Sequence, residues 1–132
     1  MPRSTLQPRD RELISAPNFC HVSVPADDDT IQSVVVWCDV DGDQIVLNSA
    51  EGRDWPANLR RAGRATLTVM NLENPQEFVT IVARLVDDTN DGADDVINAL
   101  AHKYNGRDYD FAPGQQRVTF RLAPERVARH SN

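Results

Sequence analysis

Hydrophobic residues recur along this 132-residue chain in two rhythms. Strict alternation marks residues 65–70, with Ala65, Leu67 and Val69 set between threonines, and residues 117–122, with Val118, Phe120 and Leu122. That spacing predicts strands with one apolar face. Residues 18–24 read the same way and stop at Pro25. Residues 77–87 predict a long strand carrying Phe78, Val79, Ile81, Val82, Leu85 and Val86. The Val-rich run 31–40 predicts a strand buried on both faces for part of its length. Asp41-Gly42 signals a hairpin into a further strand over 44–48.

The second rhythm is helical. Val96, Ile97, Leu100 and Ala101 share one face of a helix over 94–104. A shorter helix over 55–62 tolerates Pro56 in its first turn and ends near Gly63. Residues 10–16 predict a third, stopped by Pro17. Six strands joined mostly by hairpins, with three short peripheral helices, predict a mainly β (α+β) closed antiparallel barrel over residues 10–128. Residues 1–9 read as a flexible arm and 129–132 as a tail. The interior of such a barrel is packed with side chains, so a large ligand belongs on its outside or at a subunit seam.

Charge sharpens this picture. The formal net charge is −6, which argues against a nucleic-acid binder needing a broad basic surface. Against that background, residues 53–64 hold Arg53, Arg60, Arg61 and Arg64 with only Asp54, a local charge of +3. A strand entering a polar turn and then a helix can offer both N–H groups and cations to a phosphate. A solvated helix face is the plain alternative. No apolar run approaches a membrane span, and the N-terminus lacks an apolar leader core, which predicts a cytoplasmic protein.

Other motifs exclude more than they propose. Asp39-Val-Asp-Gly-Asp43 imitates a calcium loop, but Gln44 and Ala50 stand where that loop needs glycine and a bidentate glutamate, so it reads as a hairpin turn. His21, His102 and His130 are scattered, and no metal site is expected. Cys20 and Cys38 read as reduced core thiols, with a disulfide between neighbouring strands as the alternative. No nucleophile elbow, P-loop or dinucleotide fingerprint occurs, so any chemistry falls to a bound cofactor.

Several segments together resemble a known family. They are Ala16-Pro-Asn-Phe-Cys-His-Val, then Val36-Trp37 before Asp39-Val-Asp-Gly-Asp43, Ala50-Glu-Gly-Arg53, and Asn58-Leu-Arg-Arg61 with Arg64. Glu73-Asn-Pro75, Lys103-Tyr104 before Gly106-Arg107, and Arg117-Val118 leading to Pro124-Glu-Arg-Val127 follow in order. The chain resembles the pyridoxamine 5′-phosphate oxidase-like split β-barrel family, FMN-binding in type, and most closely its F420 (deazaflavin)-dependent oxidoreductases. The resemblance implies a homodimer with two cofactor sites at the seam. It implies that Val35, Val36 and Trp37 lie along the cofactor ring, and that Ser49, Ala50 and Arg53 hold its ribityl phosphate region. Asn58 with Arg60 or Arg61 would brace that turn, and the stretch from Asn74 to Phe78 would approach from the second subunit. The chain also departs from the family. Trp55, before Pro56, replaces a common lysine and would pack against the cofactor or the partner. Val82-Ala83 replaces a common Arg-Gly.

The implied reaction is hydride transfer from reduced F420 to a small conjugated or aromatic acceptor. No side chain reads as an obligatory catalytic acid; Tyr109, Tyr104 and His21 could donate a proton but each also has a structural reading. The alternatives are an FMN-dependent oxidoreductase of the same fold and a cofactor-binding protein without turnover.

Overall fold

The Val-rich run is where the chain divides. In the computed structural model, which describes residues 3–131, the backbone leaves one strand at Val36 and enters another at Cys38. The elements are α1 (Pro8–Ser15), β1 (Cys20–Pro25), β2 (Ile31–Val36), β3 (Cys38–Asp41), β4 (Gln44–Ala50), α2 (Asp54–Ala62), β5 (Arg64–Met70), β6 (Phe78–Thr89), α3 (Ala93–Asn105) and β7 (Arg117–His130). The expectation of six strands is thus corrected to seven. The physical reason is that the two halves of the run pair with different partners. Val35 lies opposite His21 of β1, whereas Val40 lies opposite Ile45 of β4.

The strand order is β2-β1-β5-β6-β7-β4-β3, antiparallel at every step. Among the described residues the sheet is therefore open at β2 and β3 rather than a closed barrel. β2 is an edge strand that alternates between exposed and half-buried positions, so its valines are not covered on both faces as expected. β6 and β7 form the longest ladder. Shifts in their register after Val82 and Leu85 bend the sheet around its core.

One face of the sheet encloses a single apolar cluster. Val22, Ile45, Leu47, Leu67, Ile81, Phe120 and Leu122 are fully covered there. Leu13 and Ile14 of α1, and Trp55 and Leu59 of α2, close it from outside the sheet. Trp55 is 5% exposed, its ring 5.6 Å from that of Phe120. The expectation that Trp55 faces a cofactor or partner is thereby corrected: the second residue of α2 points inward, where a large apolar ring gains most. α3 lies against β7 and β4, where it buries Ala93, Ile97, Leu100 and Ala101.

The first and last described segments are both pinned. Arg3, expected in a flexible arm, donates its N–H to Val127 O at 2.8 Å, and Leu6 is buried. Fully buried Asp10 accepts from the Arg3 guanidinium at 2.5 Å and from Gln7 N–H at 2.8 Å. The expected tail is likewise ladder, since Arg129 and His130 pair with Val79 and Phe78. Polar sequence concealed both attachments because backbone hydrogen bonds and ion pairs, which leave no apolar rhythm, carry much of them. Residues 1, 2 and 132 lie outside the described part. Among the described residues no helix is long and apolar enough to cross a membrane.

Candidate functional site

The break between β2 and β3 makes a wall. Val35, Val36 and Trp37 line a groove of about 280 Å³ together with Asn48 of β4, Arg117 of β7, Ile97 of α3, Tyr109 and Arg53. Alternation along β4 decides which residues reach it. Asn48 points to the α3 side, so its neighbour Ser49 points the other way.

Trp37 is held by its neighbours. Its ring stacks on Tyr104 at 5.2 Å and 8° and meets Tyr109 edge-on at 6.5 Å. Tyr104 is fixed in turn: its hydroxyl donates to Asn18 O at 2.6 Å and accepts from Cys38 N–H at 3.1 Å. Lys103 donates to Cys38 O at 2.5 Å and to Ile14 O at 2.8 Å. Burial lowers the Lys103 ammonium and raises the Tyr104 hydroxyl above their ordinary ranges. The end of α3 thus clamps the corner that carries Trp37. Cys20 and Cys38 lie at the same corner as free, buried thiols. The two thiols act on each other, which raises Cys20 and lowers Cys38.

Arg117 forms the floor. It is 4% exposed. Its Nε donates to Asn48 Oδ1 at 3.0 Å, and its Nη1 donates to Tyr109 OH at 3.2 Å and to Gln115 Oε1 at 3.1 Å. The guanidinium also lies 5.1 Å from the Tyr109 ring centre. Burial lowers its pKa, and Arg53 acts in the same direction. Asn48 is oriented by donating to Ala93 O at 3.0 Å and to Thr119 Oγ1 at 3.1 Å. Arg53 is exposed at the turn after β4. Neither Arg53 nor Arg117 has an ion-pair partner among the described residues.

The groove brings together Val35, Val36, Trp37 and Arg53 of the residues expected from sequence. The others lie elsewhere. Arg60 is taken by Glu51 at 2.8 Å and Asp88 at 2.5 Å, and sits 5.3 Å from the Phe120 ring centre. Arg61 donates to Asn58 Oδ1 at 2.6 Å, and Asn58 donates to Gln32 Oε1 at 2.6 Å, which ties α2 to β2. Arg64 pairs with Glu125. The local charge of +3 is thus largely answered by acids outside the counted window. Ser49 and Ala50 are buried away from the groove, and Ser49 Oγ has no hydrogen-bond partner among the described residues. Asn74 and Phe78 do not line the groove either; Phe78 stacks on His130 at 5.0 Å.

Sequence reasoning missed Asn48, Ile97 and Arg117, and gave Tyr109 no binding role. Arg117, Thr119 and Arg121 alternate with apolar residues and read as a solvent face. α3 covers the Arg117 end of that face. The available signal was Asn48, a polar residue directly after the apolar run Ile45 to Leu47.

A second hollow of about 330 Å³, beside α1, is lined by Arg9, Asn18, Asn71 and Leu72. Its cation is already bound, because Arg9 forms a two-pronged pair with Glu77 at 2.5 and 2.7 Å.

No protein-family model and no curated protein matches the chain. Solved structures do. An F420 reductase superposes with a TM-score of 0.83 at 18% identity, over 93% of this chain and 98% of the other. An FAD-binding protein from Mesorhizobium loti gives 0.68 at 18% identity, over 100% and 99%. An FMN-binding protein from Syntrophomonas wolfei subsp. wolfei gives 0.64 at 17%, over 93% and 84%. At these identities what is shared is the fold, and the split β-barrel expected from the motifs agrees with it.

Proposed function

We propose that this protein is an F420-dependent oxidoreductase whose groove at the β2–β3 break holds the cofactor. One observation carries the reading. Two guanidinium groups without carboxylate partners among the described residues, Arg53 and Arg117, line the same groove as Trp37 and Tyr109. Planar walls beside unanswered positive charge suit a flat heterocycle bearing an anionic tail. The likeness in fold to an F420 reductase supports the choice of group.

When bound, reduced F420 supplies a hydride, here to a small conjugated or aromatic acceptor. The chain supplies position and shielding. Val35 and Val36 flank the ring region, and Trp37 is fixed there by Tyr104. Ile97 and Tyr109 exclude water from one side. Arg53 holds an oxyanion of the cofactor at the mouth. Asn58 and Arg61 brace α2 behind that turn. Among the groove side chains, Tyr109 is the one with a hydroxyl, and that hydroxyl already accepts from Arg117. An acceptor proton therefore comes from water or through that pair.

The site is completed by a second copy of the chain. Edge strand β2 exposes Ile31 and Val35, at 64% and 59%. A partner covering them would hide apolar surface and bring its own stretch around Asn74 and Phe78 toward the groove. FMN is the second reading, favoured by two cations facing one pocket, which suit a phosphate monoester.

Titration of the purified protein with F420 and with FMN, followed by ligand fluorescence, tests the proposal. F420 should bind more tightly than FMN. Arg53→Ala should weaken it by about 1.5–3 kcal/mol, the range for a charged hydrogen bond. Unchanged affinity in that variant removes Arg53 from the site, and binding of neither cofactor removes the function.

A further inference from the structure

We propose that Arg117 is an oxyanion anchor, so that whatever fills the groove brings a carboxylate or phosphate to its floor. The inference rests on the groove being the ligand site and adds the chemistry of its inner end.

The argument starts from how this chain treats its other buried charges. Asp10, fully buried, lies against Arg3 and Arg129. Glu77, 8% exposed, lies against Arg9 and Arg129. Each buried carboxylate thus has guanidinium partners, as the cost of burying a lone charge demands. Arg117 breaks the pattern. It is as deeply covered, yet among the described residues only neutral oxygens of Asn48, Tyr109 and Gln115 accept from it. Asp94 attracts it from beyond ion-pair distance.

The neutral partners fix the group without neutralising it. Nε and Nη1 are bonded, and the Tyr109 ring lies beside the guanidinium plane. Nη2 carries no protein hydrogen bond among the described residues and is not sealed from solvent. A guanidinium held in one plane with a free edge is arranged to receive an oxyanion. Arg53, on the same groove, repels it and raises the value of an anion between them. Trp37 and Tyr109 make the neighbouring surface aromatic, so a carboxylate or phosphate attached to a planar group fits both features.

That anion has two sources, the cofactor's tail or the acceptor. Calorimetric titration of the full-length, cofactor-free protein with benzoate, inorganic phosphate, F420 and FMN separates them. In Arg117→Gln, binding of at least one of these should weaken tenfold or more, and Arg117→Lys should fall between that variant and wild type. If F420 weakens, the anion is the cofactor's. If F420 is unchanged and benzoate is lost, both alone and with F420 saturating, the anion is the acceptor's. Binding of all four within twofold of wild type in Arg117→Gln overturns the proposal. So does a wild-type protein that binds none of them, which needs no variant to fold. Binding of benzoate or phosphate without F420 or FMN, weakened tenfold or more in Arg117→Gln, would instead sink the cofactor reading and leave Arg117 as the anchor.

Discussion

Trp55 separates two accounts of this chain, because a cofactor contact and a core residue fail differently when truncated. The residue is 5% exposed and packs against Phe120, which is itself fully covered. Truncating a buried tryptophan to alanine costs about 3–5 kcal/mol, since the transfer term adds to the cavity left behind. A chain of this length has a total stability of roughly 7–20 kcal/mol by the usual per-residue range. Trp55→Ala should therefore fold but with a much lower unfolding midpoint. The void would also loosen Phe120, over which Arg60 lies while paired with Glu51 and Asp88. Trp55→Phe keeps a ring and should lose about half as much or less. Urea unfolding followed by far-ultraviolet circular dichroism gives the energies, and F420 titration well below the unfolding transition gives the affinity. The expected result is a loss of several kcal/mol with cofactor affinity within about threefold of wild type. A Trp55→Ala protein as stable as wild type but with tenfold weaker F420 binding would refute the placement of this ring in the core.

Three further expectations follow from the same reasoning. Tyr104→Phe keeps the stack on Trp37 but strips the bonds to Asn18 O and Cys38 N–H, so it should destabilise by about 1–3 kcal/mol in urea unfolding; a loss below about 0.5 kcal/mol would show that the clamp is not formed. Glu77 is pulled down from 4.5 to about 2, chiefly by the hydrogen bond from Arg9, so its contribution is present in full above pH 4.5 and fades as pH falls toward 2. Glu77→Gln should accordingly flatten the acid limb of a stability–pH curve over that window, and an unchanged limb would assign it to other carboxyls. Ile31→Arg combined with Val35→Arg should convert a dimer to monomer in sedimentation or light scattering, whereas a wild-type monomer would remove the partner's share of the groove.

Much of the fold was legible because the apolar rhythm recorded it. The alternation in β5 and the first half of β7 corresponds to core residues Leu67, Val69, Phe120 and Leu122, each fully covered. The end of α2 at Gly63, whose φ is 72°, was legible from a residue suited to the left-handed region. The break at Trp37 was not, because residues 34 to 38 are apolar without interruption and give no sign that the ladder partner changes from β1 to β4. The site was half legible for a related reason. Residues close in sequence, such as Val35 to Trp37, could be grouped along the chain. Asn48, Ile97 and Arg117 meet only after α3 docks on β4 and β7. The charge count misled in the same way: Glu51, Asp88 and Glu125 are outside the basic window and yet hold Arg60 and Arg64.

The groove and the split in the sheet have one origin. β2 and β3 are consecutive in the chain but lie at opposite edges of the sheet, so the peptide at Trp37 must cross the gap that hydrogen bonding leaves open. A crossing backbone loses its ladder partners, and its polar groups need others. Tyr104 and Lys103 of α3 provide them at Cys38 N–H and Cys38 O. The same helix gives Ile97 to the groove wall, and the carbonyl of Ala93 orients Asn48, which in turn fixes Arg117. Satisfying the crossing and building the site are therefore both tasks of α3. Undocking that helix would release the Trp37 corner and the Arg117 floor together, before the core enclosed by the sheet is touched. Amide exchange should find α3 and the Trp37–Cys38 peptide opening as one unit at lower free energy than β6 and β7. Independent protection of the two would mean that the corner is held by something other than this helix.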